Sequence, residues 1–181
     1  MTTTEASWTP PTTWQEHPER WHADDNQATE HEVSKLVAAF VTALQPDYCV
    51  ETGTNSAQTA LCIGRALLDN RHGQLITLET DPDLAAAAQR KLRGLPVTAL
   101  NVSSVNFTPT QRIDFAWLDS ETYLRLAEFS LFRPYLHAGS LVGFHDTAPH
   151  HGAWGDMVDL LPDTRSIRLH TPRGVTFVQV M

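Results

Sequence analysis

The sequence is short of positive charge and of long apolar runs, and each shortage excludes a class of protein. Its 181 residues carry 13 Lys and Arg against 21 Asp and Glu, a net charge of −8, so the chain lacks the basic surface that nucleic acid or an anionic membrane attracts. No stretch reaches the ~18 consecutive apolar residues of a membrane span, and the polar start lacks the features of a signal peptide. We therefore expect a cytoplasmic protein that binds neither nucleic acid nor a membrane.

Cysteine is also scarce. Cys49 lies in a short apolar run and Cys62 in an apolar-periodic stretch, and the sequence has no other cysteine. This placement favours reduced thiols in a core over a disulfide framework or a zinc site. The length suits one domain, since single domains commonly hold ~100–200 residues.

Regular periodicity is missing from the first 26 residues, which are rich in Thr, Pro and Trp. Trp8, Trp14 and Trp21 are spaced too irregularly for one helical face, so we interpret residues 1–26 as an N-terminal arm. The arm either packs on the domain or on a partner subunit, or folds over a ligand as a lid. Residues 27–181 then form the domain, and the sequence leaves a homo-oligomer open.

Helical and strand patterns alternate through the rest of the chain. Apolar residues at helical spacing predict an amphipathic helix over 27–44, with Thr29 as its cap and Glu32 completing a capping box. His137 and Gly139 are typical of a helix end. Short apolar runs predict five strands, at 47–52, 74–79, 97–102, 113–118 and 140–144.

Two further strand patterns close the chain, at 166–170 and 174–180, after a stretch over 153–161 that could be helical. The short connector between these strands favours antiparallel pairing. The whole pattern predicts an α/β fold, a Rossmann-like three-layer sandwich with a mostly parallel sheet and a C-terminal antiparallel hairpin.

Acidic residues end the first two predicted strands. Glu51 precedes a turn that contains Gly53, and Glu79 ends the second strand. In open parallel sheets, ligands bind at the carboxyl ends of the strands, and an acidic residue at the end of the second strand accepts hydrogen bonds from ribose hydroxyls. Solvated carboxylates are the alternative, but two at equivalent strand ends favour contact with a nucleoside-bearing ligand.

Four segments together carry a family resemblance. They are Glu51-Thr-Gly-Thr-Asn-Ser-Ala-Gln-Thr-Ala60, Leu75-Ile-Thr-Leu-Glu-Thr-Asp-Pro-Asp83, Asp114-Phe-Ala-Trp-Leu-Asp119 and Leu141-Val-Gly-Phe-His-Asp146. In order and spacing they resemble class I S-adenosylmethionine-dependent methyltransferases, in particular the small catechol O-methyltransferase-like group. The resemblance covers roughly residues 27–147.

The resemblance implies S-adenosylmethionine as cofactor, with Glu51 and the following turn on its methionine part, Glu79 on its ribose and Ser104 beside its adenine. Where the family often has a second glycine, this chain has Ala57, which we expect to narrow the approach to the ligand. The implied cofactor-binding residues are Glu51, Thr52, Gly53, Thr54, Asn55, Ser56, Ala57, Glu79, Thr80, Ser103, Ser104 and Asp119.

Metal-dependent members of the group bind magnesium through acidic residues that end the fourth and fifth strands. The corresponding residues here are Asp119, His145 and Asp146, in which an imidazole replaces an oxygen ligand. A divalent metal, magnesium or another, is therefore a candidate cofactor. The alternatives are helix caps for the carboxylates and a hydrogen-bonded structural pair for His145.

Deprotonation of an acceptor hydroxyl needs a base, and the family lysine after the fourth strand is absent. We expect Asp119, His145 and His150 to be catalytic, with the neighbouring His151 as an alternative base, since the unperturbed pKa of histidine, ~6.5, suits a general base. The resemblance thus implies methylation of a hydroxyl on a small molecule or sugar, with metal assistance as an option. The alternatives are a catalytically silent cofactor-binding subunit and a nicotinamide-dependent oxidoreductase, which would ordinarily show a richer glycine motif than Gly53 alone.

Overall fold

A computed structural model describes residues 18–181 and contains a seven-stranded sheet in the order β3-β2-β1-β4-β5-β7-β6. Strands β1 to β5 are parallel to one another, whereas β7 is antiparallel to both β5 and β6. The predicted fold class, including the C-terminal hairpin, is confirmed. The strands are β1 (Tyr48–Thr52), β2 (Gln74–Glu79), β3 (Val97–Asn101), β4 (Ile113–Leu118), β5 (Leu136–His145), β6 (Thr164–Leu169) and β7 (Val175–Val180).

Helices cover both faces of the sheet. They are α1 (His31–Leu44), α2 (Gln58–Asn70), α3 (Pro82–Lys91), α4 (Arg125–Phe132) and α5 (Trp154–Val158). One apolar core lies between the sheet and α1 to α3, and a second lies between the sheet and α4 and α5. Because neighbouring residues of a strand point to opposite faces, Cys49 packs in the first core and Val50 in the second. Through residues 18–181, no helix is long and apolar enough to cross a membrane.

Two predicted helix boundaries are wrong. The first helix begins at His31 rather than at 27, and no capping box forms, because the Thr29 hydroxyl donates to Asp119 and the Glu32 carboxylate accepts from the backbone of His22. His137 and Gly139 lie in β5 and do not end a helix, since the preceding helix ends at Phe132.

The N-terminal arm is only partly within the described residues. Residues 1–17, with Trp8 and Trp14, lie outside them. From Pro18–Arg20 the chain forms one short 3-10 turn, and residues 22–27 are exposed. The chain then becomes buried from Ala28 to Glu30, immediately before α1.

The strand order decides where a ligand can bind. In chain order, the sheet first extends from β1 through β2 to β3. The chain then returns to the other side of β1, where β4 and β5 are added. Helices that follow β1 and β4 therefore lie on opposite faces, which opens a crevice at the carboxyl ends of these two neighbouring strands.

Candidate active site

A cavity of about 370 Å³ lies at the carboxyl ends of β1, β2 and β4. Loops that follow the strands supply most of its wall, and the segment before α1, the first turns of three helices and the loop before β7 also contribute. The lining residues are Gln27, Ala28, Thr29, Gly53, Thr54, Asn55, Ser56, Gln58, Thr59, Leu78, Glu79, Thr80, Leu84, Val102, Ser103, Ser104, Asp119, Ser120, Glu121, Thr122, Leu124, Arg125, Asp146, His151 and Arg173.

Most of the residues expected to bind the cofactor line this cavity. Its wall includes the turn from Gly53 to Ser56, Glu79 with Thr80, Ser103 with Ser104, and Asp119. The three other expected residues, Glu51, Thr52 and Ala57, do not line it.

Glu79 is fixed at the edge of the cavity by backbone amides. One of its carboxylate oxygens accepts from the Asn55 amide at 2.8 Å, and the other accepts from the Asp81 amide at 3.0 Å. The side chain is 9% exposed, so a carboxylate is held in place with access to the cavity. Such a group is suited to accept hydrogen bonds from the hydroxyls of a ribose.

The glycine turn after β1 packs directly against the loop after β4. Gly53 has a φ of +79°, and a Cβ at this position would lie 2.3 Å from the backbone oxygen of Asp119. Only glycine fits both the left-handed backbone and the close approach. The contact brings the two loops to one side of the cavity.

Glu51 lies behind this turn and is 1% exposed. Its carboxylate accepts from the Thr77 hydroxyl at 2.5 Å, and Thr77 is hydrogen-bonded to the Thr54 hydroxyl at 2.6 Å. Burial raises the pKa of Glu51 from its ordinary value of 4.5 to about 8. Glu51 therefore supports the cavity wall through Thr54, rather than forming that wall itself.

The other two residues outside the wall have different surroundings. Thr52 is fully buried, and its hydroxyl donates to the Glu128 carboxylate at 3.0 Å. Ala57 is buried in the first core, with a left-handed φ of 58°. Its methyl group does not narrow the cavity as expected, because it points into the core.

The structure brings together Asp119, His145 and Asp146, which the sequence predicted as neighbours. His145 Nδ1 lies 2.9 Å from Asp119 Oδ1 and 3.5 Å from Asp146 Oδ1. Its Nε2 lies 2.7 Å from a carboxylate oxygen of Glu30, a residue that the sequence did not indicate. Burial alone would lower the pKa of His145, but the surrounding carboxylates raise it to about 9.

Two arginines, also missed, hold the aspartates. Arg125 Nη2 lies 3.1 Å from Asp119 Oδ1 and 2.8 Å from Asp146 Oδ2, and Arg125 Nη1 donates to the His145 backbone oxygen. Arg173 makes a bidentate contact with Asp146, at 2.6 Å and 3.1 Å. Although burial opposes ionisation of Asp146, His145 and the two arginines keep its pKa well below the usual range.

We call the group of Glu30, Asp119, Arg125, His145, Asp146 and Arg173 the ionic cluster. Asp119, Arg125, Asp146 and Arg173 reach the cavity wall, whereas Glu30 and His145 lie behind it. No motif marks Glu30, Arg125 or Arg173 in the sequence, because each is a single charged residue with at least one partner more than 20 positions away.

The group of Asp119, His145 and Asp146 fits a metal ion in spacing but not in hydrogen bonding. One ligand atom from each lies within 4.8 Å of the others, so their spacing suits an ion. Their hydrogen bonds do not suit one. Both ring nitrogens of His145 contact carboxylates, which only accept, so neither nitrogen has a lone pair to give. The two aspartates already contact guanidinium groups.

The histidines after β5 differ in their access to the cavity. His150 is exposed and does not line the cavity, whereas His151 lines it. His151 Nε2 is buried, makes no hydrogen bond within the described part of the chain, and lies 3.5 Å from Asp146 Oδ1. Burial lowers the pKa of His151. Of the two rings, His151 is thus the one available to a bound ligand.

The segment from Asn26 to Glu30 is tied to the ionic cluster. The Thr29 hydroxyl donates to Asp119, and Arg173 Nη1 donates to the backbone oxygens of Ala28 at 3.0 Å and Asn26 at 3.3 Å. These contacts bring Gln27, Ala28 and Thr29 into the cavity wall. The residues that directly follow the predicted arm are therefore part of the site.

Comparison with known proteins gives one family and many similar folds. A profile of the family described as methyltransferase domain matches residues 50–147, more than half of the chain. No curated protein sequence matches.

Solved structures with the same fold include several bound to a ligand. The O-methyltransferase from Bacillus cereus in complex with SAH is 16% identical, with a TM-score of 0.72 over 87% of this chain and 84% of that one. A methyltransferase from Podospora anserina bound to SAH is 16% identical, with a TM-score of 0.76 over 93% and 86%. The O-methyltransferase TomG from Streptomyces achromogenes, in complex with SAM, is 19% identical, with a TM-score of 0.69 over 94% and 88%.

Proposed function

The chain belongs to the methyltransferase domain family, and on that premise we propose that it transfers a methyl group from S-adenosylmethionine to a hydroxyl oxygen of a small molecule or sugar. One observation carries the proposal: a single cavity is lined by Glu79, by His151 and by the four members of the ionic cluster that reach its wall, Asp119, Arg125, Asp146 and Arg173. A nucleoside-bearing methyl donor and a hydroxylated acceptor can thus meet in one cavity.

The cofactor is proposed to occupy the part of the cavity next to the glycine turn. Glu79 would accept hydrogen bonds from the ribose hydroxyls, the turn from Gly53 to Ser56 would hold the methionine part, and Ser103 with Ser104 would lie against adenine. The structural neighbours with SAH or SAM bound support this choice of cofactor. When bound, S-adenosylmethionine supplies an activated methyl group on a sulfonium.

The acceptor is proposed to bind beside Asp119 and His151. The acceptor oxygen gives up its proton and forms a bond to the methyl carbon, while the bond from that carbon to sulfur breaks and its electron pair leaves with sulfur. The protein must align these atoms and exclude water, so orientation supplies most of the acceleration. The structural neighbours that are O-methyltransferases support oxygen as the acceptor atom.

His151 is the general base in this proposal. Its Nε2 has no hydrogen-bond partner among residues 18–181, the residue lines the cavity, and its lowered pKa keeps the ring neutral at neutral pH. The sequence indicated both His150 and His151, and His150 is exposed. His145 is buried behind the wall, so we assign it the role of positioning Asp119, to which it is hydrogen-bonded.

Residues 27–29 are proposed to close the cavity from the N-terminal side. Thr29 donates to Asp119, and Arg173 holds the backbone of Ala28. These contacts support a role for the segment before α1 in excluding water from the acceptor.

The net charge of −8 supports a small-molecule acceptor rather than nucleic acid.

The first experiment is calorimetric titration of the purified chain with S-adenosylhomocysteine and, separately, with NAD. We expect saturable binding of S-adenosylhomocysteine and none of NAD. The reverse result would favour an oxidoreductase and overturn the proposal.

Turnover separates an enzyme from a silent cofactor-binding subunit. Incubation with methyl-labelled S-adenosylmethionine and a panel of sugars, phenols and hydroxylated small molecules should transfer label to at least one acceptor. Binding of S-adenosylhomocysteine without transfer to any hydroxylated acceptor would instead support the silent subunit.

A further inference from the structure

Arg125 stands between the two carboxylates that metal-dependent relatives would use for an ion. Its Nη2 atom lies 3.1 Å from Asp119 Oδ1 and 2.8 Å from Asp146 Oδ2, so one guanidinium nitrogen bridges both residues. The Arg125 side chain is 2% exposed, and its guanidinium also lies over the Trp154 ring, 5.4 Å from the ring centroid. The contact of Arg125 with the two aspartates is therefore buried within the site and is not an exposed surface ion pair.

Arg173 completes the neutralisation of Asp146 from the other side. Its Nε and Nη2 atoms contact the two oxygens of Asp146 at 2.6 Å and 3.1 Å, a bidentate geometry that a guanidinium fork makes and an ion would have to displace. Both oxygens of Asp146 are thus engaged with arginine.

Both candidate carboxylate ligands already have positively charged partners. Asp119 contacts Arg125, and Asp146 contacts both Arg125 and Arg173. A divalent cation placed between these carboxylates would meet two guanidinium groups within a few ångströms, which opposes its binding.

We propose that Arg125 and Arg173 take the place of a divalent metal in this protein, so that the ionic cluster holds no metal ion and methyl transfer runs without one. This inference rests on the proposed function. In the proposed methyl transfer, the acceptor hydroxyl is ionised by a protein base and not by a Lewis acid. The acceptor then needs only one hydroxyl, because no metal is present for a pair of oxygens to chelate.

The wild-type chain provides the first test, and it needs no acceptor. Manganese alone is added to the protein, and the free ion is followed by electron paramagnetic resonance, since binding broadens its signal. Thermal unfolding is recorded with magnesium and with a chelator. We expect an undiminished free-manganese signal and the same Tm in both conditions.

Binding of one manganese per chain that is lost in Asp146→Asn would overturn the proposal. So would a Tm that falls on chelation. These results do not depend on cofactor binding, so they can be told apart from a failure of the proposed function, which the titration with S-adenosylhomocysteine reports.

Arg173→Met provides the second test, because it removes one positive charge and frees the oxygens of Asp146. Since the wild type is expected to bind no manganese, we expect this variant to show saturable binding with an affinity at least tenfold above the detection limit of the measurement. Arg168→Met is the matched control: Arg168 also contacts two aspartates, Asp156 and Asp159, but lies away from the cavity. Its manganese binding should equal that of the wild type.

A folded Arg173→Met variant that gains no manganese affinity would contradict the role given to this arginine. A gain in both variants would also contradict it, since the effect would then reflect overall charge. If Arg173→Met does not fold, the two wild-type measurements decide the proposal by themselves.

Discussion

His145 Nε2 lies 2.7 Å from a carboxylate oxygen of Glu30, although the two residues are 115 positions apart. The contact joins the end of β5 to the residue that precedes α1. Both side chains are buried, so the bond forms where water does not compete. This contact fixes the segment that closes one side of the cavity. The Glu30 carboxylate and the His145 ring each balance charge on the other.

Glu30→Gln tests this contact. We expect a loss of roughly 3 kcal/mol in the free energy of unfolding, because the change leaves the buried His145 ring without one of its carboxylates. Urea denaturation measures it. Glu32→Gln is the control, since Glu32 pairs with the exposed His22 and should cost less than about 1 kcal/mol. Equal losses in the two variants would contradict the importance of the buried pair.

Glu79→Ala should weaken binding of S-adenosylhomocysteine by ~1–3 kcal/mol, because the ribose hydroxyls lose a charged acceptor. Calorimetric titration measures the affinity. Asp69→Ala, an exposed acidic residue on α2, is the control for charge and should bind as the wild type does. Unchanged affinity in Glu79→Ala would remove the ribose assignment.

Gly53→Ala should cost more stability than Gly94→Ala. Both glycines have a left-handed φ, +79° and +87°, but a Cβ at Gly94 meets nothing within 4 Å, whereas at Gly53 it meets the Asp119 backbone. Gly94→Ala should therefore cost only the backbone term, roughly 1 kcal/mol. Gly53→Ala should also reduce affinity for S-adenosylhomocysteine. Parallel denaturation and titration check this, and equal costs would mean that the loops are free to separate.

Stability should fall as the pH rises through the titration of Glu51. Its folded-state pKa is raised from 4.5 to about 8, so its contribution is full below pH 4.5 and is lost as the pH approaches 8. The loss is up to roughly 5 kcal/mol. Glu51→Gln keeps an oxygen for the Thr77 hydroxyl and should flatten this dependence. Urea denaturation across this pH range compares the slopes, which would be the same in both proteins if Glu51 were ionised throughout.

His151→Gln should lower kcat by ~10²–10⁴-fold, the usual contribution of a general base, with little change in affinity for S-adenosylhomocysteine. Steady-state kinetics with an acceptor found in the panel measures it. His150→Gln distinguishes the neighbours. A loss of kcat confined to His150→Gln would favour His150 as the base over His151, which lines the cavity.

Local patterns in the sequence determined the layers of this protein. Alternating apolar runs and helical periodicity predicted all seven strands and the antiparallel hairpin, because burial on one or two faces imposes those periods on neighbouring residues. The same logic placed Glu79, Asp119 and Asp146 at strand ends and indicated that they lie at one edge of the sheet, where the structure has them.

Only the tertiary structure decided how the charges at that edge pair. Arg125 reaches Asp146 from α4, and Arg173 reaches it from the loop before β7. Glu30 reaches His145 from the position that precedes α1. Such pairs have no period and no fixed spacing, since each depends on where distant segments meet after folding. For the same reason the sequence suggested a metal at Asp119, His145 and Asp146, where the folded chain supplies two arginines.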